Sequence, residues 1–140
     1  MNTINDVKSL SFPELGDNRG RLVVIEGGED KPIPFVMKRV FYIYGSDPNV
    51  IRGQHANLYS EFCLINVSGQ SKVKVIDQDK NEKIFLLDTP HEGLYLPSMI
   101  WKDMYDFSPD SILLVLSSEY YDKNEYISNM DDYLKRGINE

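Results

Sequence analysis

The chain has 140 residues, enough for one domain with a buried core. Its 22 acidic against 15 basic side chains give a net charge of −7, which repels phosphate polymers, so nucleic acid is not an expected partner, although one or two local arginines can still hold a small phosphorylated ligand. No run approaches the roughly 18 apolar residues of a membrane span, Met1-Asn2-Thr3-Ile4-Asn5-Asp6 lacks the basic and apolar regions of a signal peptide, and the lone Cys63 reads as a buried thiol, so the expected compartment is the cytoplasm.

In chain order, short β-rich runs follow one another over Arg21–Glu26, Val36–Tyr44, Val50–Asn57, Ser60–Val67, Ser71–Asp77, Glu82–Leu87, Gly93–Leu96, Ile100–Tyr105 and Ser111–Ser117. Turn residues such as Gly27-Gly28, Gly45-Ser46-Asp47-Pro48-Asn49, Ser68-Gly69 and Ser108-Pro109-Asp110 separate them. The spacing predicts an all-β sandwich or barrel over about residues 19–118 within a single domain, 1–140. Lys72-Val73-Lys74-Val75 alternates as a strand with one wet face does, whereas Ile112-Leu113-Leu114-Val115-Leu116 reads as a strand covered on both faces. After Ser118, Tyr126, Ile127, Met130, Tyr133 and Leu134 recur at three- and four-residue steps, which predicts one amphipathic helix over about 123–135, with Asp122 and Glu125 as a capping box.

The most informative segment is Arg52-Gly53-Gln54-His55-Ala56-Asn57-Leu58-Tyr59-Ser60-Glu61. Positions two apart on a strand share a face, so His55 and Asn57 point the same way and together offer an imidazole and an amide to a pocket. An imidazole titrates near working pH and can remove a proton from a carbon beside a ketone, while a Tyr hydroxyl or Lys ammonium polarises the carbonyl oxygen. Tyr42, Tyr44, Tyr95 and Lys102 are candidates for that second role. Arg52 and Arg39 are candidates for phosphate, because guanidinium binds phosphate oxygens bidentately. Tyr42, Tyr95 and Trp101 are the candidates to stack on a base.

A divalent ion would need three or four converging N and O ligands. Metal-binding barrels of the cupin type supply a His-x-His pair, a later Glu and a further His. Here Asn57 stands at the second histidine, Lys102 at the last, and His91 lies in the turn Asp88-Thr89-Pro90-His91-Glu92. Only His55 and Glu61 remain of such a set, so metal and other cofactors are not expected.

Asn18-Arg19-Gly20-Arg21-Leu22, Lys38-Arg39-Val40-Phe41-Tyr42-Ile43-Tyr44, Arg52-Gly53-Gln54-His55-Ala56, Gly93-Leu94-Tyr95-Leu96-Pro97, Met104-Tyr105-Asp106-Phe107-Ser108 and Ser118-Glu119-Tyr120-Tyr121-Asp122 together resemble the dTDP-sugar 3,4-ketoisomerases, the WxcM-like cupins. The resemblance implies a cupin (jelly-roll) double-stranded β-barrel with one C-terminal helix, in a cytoplasmic homodimer that exchanges an N-terminal strand. It implies an enzyme of deoxysugar biosynthesis for surface polysaccharide, which moves the ketone of dTDP-4-keto-6-deoxyglucose from C4 to C3 through an enediol without a cofactor. His55, Arg52 and Tyr42 match positions of that family's site. Asn57 and Lys102 replace family histidines, and the alternative they leave is a barrel that epimerises a dTDP-sugar or binds it without turnover.

Overall fold

In the β-rich runs, alternate residues bury their side chains against a shared core. The computed structural model describes residues 1–138. Twelve strands are present among them: β1 (Lys8–Ser11), β2 (Glu14–Asp17), β3 (Gly20–Val23), β4 (Arg39–Tyr44), β5 (Arg52–Asn57), β6 (Phe62–Ser68), β7 (Ser71–Ile76), β8 (Glu82–Leu87), β9 (Glu92–Leu96), β10 (Trp101–Tyr105), β11 (Ile112–Ser117) and β12 (Tyr126–Ile127). A single α-helix, α1 (Met130–Ile138), follows.

The strands form two five-stranded antiparallel sheets, ordered β1-β9-β6-β11-β4 and β12-β5-β10-β7-β8, while β2 and β3 form a separate hairpin. Phe62, Leu64, Leu94, Leu113 and Val115 of the first sheet face Val73, Val75, Leu87 and Met104 of the second across the main core. This is the jelly-roll layering of the cupin fold. A second apolar layer covers the outer face of the first sheet, where Phe12, Ile33 and Phe35 pack on Cys63, Ile65 and Leu116. Cys63 is fully buried there, and burial pushes its thiol up to about 12. The two-faced cover expected of the apolar run is present: Leu113 and Val115 enter the inner core and Leu116 the outer layer. On β7, Val73 and Val75 are buried while Lys72 and Lys74 are only half-covered.

Three segments differ from the expectations. The strands β1 and β2 precede the first predicted run; Lys8-Ser9-Leu10-Ser11 and Glu14-Leu15-Gly16-Asp17 lack the β-branched and aromatic residues that mark strands, and β1 is held by pairing Lys8 to Tyr95 and Leu10 to Gly93. The C-terminal helix begins at Met130 and not near 123, because Asn129 caps it through its Oδ1 to the amide of Asp132 at 2.9 Å. Upstream, Lys123–Glu125 is a single 3-10 turn and Tyr126–Ile127 pairs with Asn57 and Ala56 as a sheet edge. Asp122 does cap that turn, but Glu125 turns inward instead of closing a capping box.

Tyr133 anchors α1. It is fully buried, and its hydroxyl donates to the carbonyls of Ile76 or Met99 at 2.9 and 2.8 Å. Trp101 packs on it at 5.8 Å between ring centroids, on the outer face of the second sheet.

Candidate active site

Between the sheets, where β4 of the first faces β5 and β10 of the second, a cavity of about 450 Å³ opens to solvent. Its lining includes Phe41, Tyr42 and Ile43 of β4, Arg52, Gly53 and His55 of β5, Phe62 of β6, Lys102 and Met104 of β10, with Ile51 and Tyr126. That volume suits an organic ligand of sugar size, and its walls combine apolar surface with a few polar groups.

A break in strand regularity brings the polar groups together. Arg52 and His55 are three apart, so an unbroken strand would send them to opposite faces. Gly53 and Gln54 instead adopt positive φ values of 85° and 56°, and the β5–β10 register slips there, so that Lys102 lies opposite His55 while Met104 lies opposite Arg52. The bulge restores Arg52 to the side of His55. Glycine is needed at 53, since a Cβ there would stand 2.9 Å from the Lys102 carbonyl oxygen.

His55 is fixed by two neighbours. Its Nδ1 lies 3.0 Å from the Gly53 carbonyl oxygen, and Tyr126 stacks on the ring at 4.5 Å. A carbonyl only accepts, so Nδ1 carries the proton of the neutral ring and Nε2 keeps a lone pair. Burial and then the charge of Lys102 push the His55 pKa down to about 4, although the Gly53 carbonyl opposes this. The imidazole is therefore neutral at physiological pH and able to accept a proton.

Lys102 faces the same interior from β10, with 4% of its surface exposed. Its Nζ donates to Asn57 Oδ1 at 3.1 Å and sits 4.4 Å from the centre of the Phe62 ring. Burial pushes its pKa down to about 7, with the Arg39 charge adding to the effect and the Glu125 charge opposing it. Asn57 is buried beside it, and its Nδ2 finds no partner among the described residues.

Glu125, an expected helix cap, is part of this scaffold. Its Oε1 accepts from the amides of Ser60 at 2.9 Å and Tyr59 at 3.3 Å, and its Oε2 from the Ser60 hydroxyl at 2.7 Å. Burial opposes its ionisation, but these donors outweigh burial and hold the carboxyl below its ordinary pKa. Neither Glu125 nor Tyr126 was a candidate from the sequence. Asp122-Lys123-Asn124-Glu125 reads as a polar helix start, and only the pairing of β12 with β5 turns it toward the cavity.

Of the other candidates, Tyr42 borders the cavity, yet the residue is 60% exposed and its ring lies beside Tyr44 at 6.0 Å. Arg39 lies on the β4 face shared by Phe41 and Ile43, its guanidinium over the rings of Phe41 and Tyr121 at 5.2 and 5.6 Å, and its Nε buried without a partner among the described residues. Tyr44, Tyr95 and Trp101 do not line the cavity. Strand alternation turns all three outward: Tyr44 to solvent, Tyr95 to the outer layer and Trp101 to α1. Glu61, paired with His55 as a remnant ligand set, is engaged elsewhere and accepts from the Tyr95 hydroxyl at 2.5 Å. His91 is partly covered in its turn, with Nδ1 3.2 Å from Glu14 Oε2. A second depression of about 520 Å³ lies along the β2–β3 hairpin, where Arg19 is paired with Asp17 at 2.6 Å.

The family model described as FdtA: WxcM-like, C-terminal, matches residues 5–137. A TDP-4-oxo-6-deoxy-α-D-glucose-3,4-oxoisomerase of Aneurinibacillus thermoaerophilus is 39% identical over 128 residues, 91% of this chain and 90% of that protein. The TDP-fucose-3,4-ketoisomerase WlaRA of Campylobacter jejuni superposes with a TM-score of 0.86 at 39% identity, covering 94% of this chain and 95% of that one. A His-to-Asn mutant of the 3,4-ketoisomerase QdtA of Thermoanaerobacterium thermosaccharolyticum, solved with TDP-4-keto-6-deoxyglucose, gives a TM-score of 0.90 at 37% identity over 96% of each chain.

Proposed function

This chain belongs to the WxcM-like family, and we propose that it is a 3,4-ketoisomerase that moves the ketone of dTDP-4-keto-6-deoxyglucose from C4 to C3. The observation that carries the reading is His55, held in a cavity of sugar size as a neutral base whose Nδ1 is turned to the Gly53 carbonyl. The reaction redistributes protons within one molecule: His55 removes the proton on C3, an enediol forms, and the imidazolium returns a proton to C4. No external electron acceptor enters that balance.

Arg52, brought beside His55 by the bulge and exposed at its other side, holds the diphosphate, with Arg39 as a second cation. Tyr42 borders the cavity, but its side chain lies on the outer face of β4 with Val40 and Tyr44, so it is given no contact with the sugar within a single chain. The other aromatic candidates, Tyr44 for the carbonyl oxygen and Tyr95 and Trp101 for base stacking, lie outside the cavity of a single chain and receive no role there. The protein works as a single-domain cytoplasmic enzyme of deoxysugar biosynthesis that serves surface polysaccharide, and as a homodimer. Support for the dimer is the outer face of β4, where Val40, Tyr42 and Tyr44 are all more than half exposed, an apolar strip that a second copy would cover. The exposed β2–β3 hairpin and the β1 edge are the segments available for exchange between subunits.

Incubation with dTDP-4-keto-6-deoxyglucose in deuterated water tests the activity. The expected result by NMR is a 3-keto product, carrying deuterium at C4 where the imidazolium exchanges its proton with solvent before returning it. Recovery of unlabelled, unrearranged substrate would reject the proposal.

A further inference from the structure

Lys102 is a buried cation that makes no ion pair among the described residues, while every ion pair seen there joins partly exposed side chains. An ammonium carries three donors, and among the described residues only one of them is used, toward Asn57. A lysine retained in a core for packing alone would be replaced with gain by an apolar residue. Lys102 lies directly across from His55 on the neighbouring strand, and in an antiparallel pair two such residues point to the same face with Cβ atoms about 4.5–5.5 Å apart. Both line the cavity, so a sugar lying against His55 also lies against the ammonium.

We propose that Lys102 is a catalytic residue, the cation that holds the C4 oxygen of the sugar as negative charge develops on it, and that Asn57 is a positioning residue that aims the ammonium. The assignment rests on the ketoisomerase reading and deepens it. When His55 takes the C3 proton, the electrons of that C–H bond form the C3–C4 double bond, and those of the C4 carbonyl move onto its oxygen, beside Lys102. The remaining hydroxyl proton then passes from the C3 oxygen to the C4 oxygen. As the C3 carbonyl forms, the double-bond electrons take the proton from the His55 imidazolium at C4. Two protons have changed places and no net charge has been lost or gained.

This division of labour gives Asn57 a task that an amide can perform. Its Oδ1 accepts from the ammonium and holds it over the Phe62 ring. The groups whose charge reaches Lys102 are Glu125 from the 3-10 turn, Arg39 from β4 and His55 from β5, and Glu125 is already satisfied by Ser60 and Tyr59. The ammonium is therefore free for substrate.

The test compares Lys102→Met and Lys102→Arg with the wild type, measuring kcat against pH and TDP affinity for each. In the wild type kcat is expected to rise as His55 loses its proton near 4 and to fall as Lys102 loses its own near 7. The methionine variant is expected to lose about 100- to 1000-fold in kcat while TDP affinity stays within about threefold. The arginine variant, whose guanidinium stays charged, is expected to recover at least about tenfold of that loss and to lack the fall above pH 7. Wild-type kcat in the methionine variant, an arginine variant no better than methionine, or a fall near pH 7 that persists in the arginine variant each overturns the assignment. If the methionine variant does not fold, as its TDP affinity reports, the pH profile of the arginine variant decides alone. Absence of turnover and of deuterium uptake in the wild type overturns the ketoisomerase reading itself, whereas normal turnover with unaltered Lys102 variants overturns only this assignment.

Discussion

Two buried polar clusters stand on the inner strands, and they are satisfied to different degrees. Toward the end of β6, Asn66 donates to Ser111 Oγ at 2.8 Å and to the Ser68 carbonyl at 3.1 Å, and accepts from Ser71 Oγ at 2.5 Å. Four residues earlier, about 13 Å along the strand, Phe62 floors the cavity under Lys102, whose one hydrogen bond goes to an asparagine with an unpartnered amide. A closed polar network ties β6 and β7 to Ser111, just before β11, and has nothing left to offer a ligand. The open one keeps donors in hand. Unsatisfied buried polar groups are costly, and their survival beside a neutral histidine marks where binding and chemistry occur.

Breaking the open cluster should abolish chemistry and spare the fold. His55→Asn removes the base but keeps a polar side chain of similar reach, and kcat is expected to fall about 1000-fold, or ~4 kcal/mol of barrier. TDP affinity, measured by calorimetry, should change little, because the arginines assigned to the diphosphate are untouched. A variant with near wild-type turnover would remove His55 from the mechanism.

Breaking the closed cluster should do the reverse. Asn66→Ala leaves Ser71 and Ser111 without their partner in a dry interior and is expected to cost about 2–3 kcal/mol in denaturant unfolding. The kcat of the folded fraction should stay within about twofold, since Asn66 does not line the cavity. A large fall in kcat without loss of stability would erase the distinction between the clusters.

The smallest effect is the most specific. Gly53→Ala forces a Cβ onto a residue at φ 85° and toward the Lys102 carbonyl, at an expected cost of about 1–2 kcal/mol. The bulge then relaxes or shifts, so TDP affinity should weaken through Arg52 more than kcat falls through His55. An unchanged affinity in titration would mean that the bulge does not place Arg52 for the phosphates.

The legible part of the fold was its strand pattern. Most predicted runs correspond to strands, because β-branched and aromatic residues alternate there and Gly, Pro, Asn and Asp punctuate them. The two-residue spacing of His55 and Asn57 is set by the pleat, but of the two only His55 lines the cavity, while Asn57 accepts from Lys102. Less legible were the faces of Tyr44, Tyr95 and Trp101, because aromatic residues suit either face and the buried side depends on what covers it. The strands β1 and β2 and the edge strand β12 exist through their partners and not through propensity.

By itself, then, the sequence determined the number and period of most strands and the two-residue spacing of His55 and Asn57. These are local properties, fixed by residue type and by the two-residue repeat of an extended chain. Only the tertiary structure decided that Arg52 joins His55, that Lys102 stands across from it, and that Glu125 is buried to brace the site. Each depends on cross-strand register or on a bulge, and register is set by long-range packing that local residue spacing does not encode.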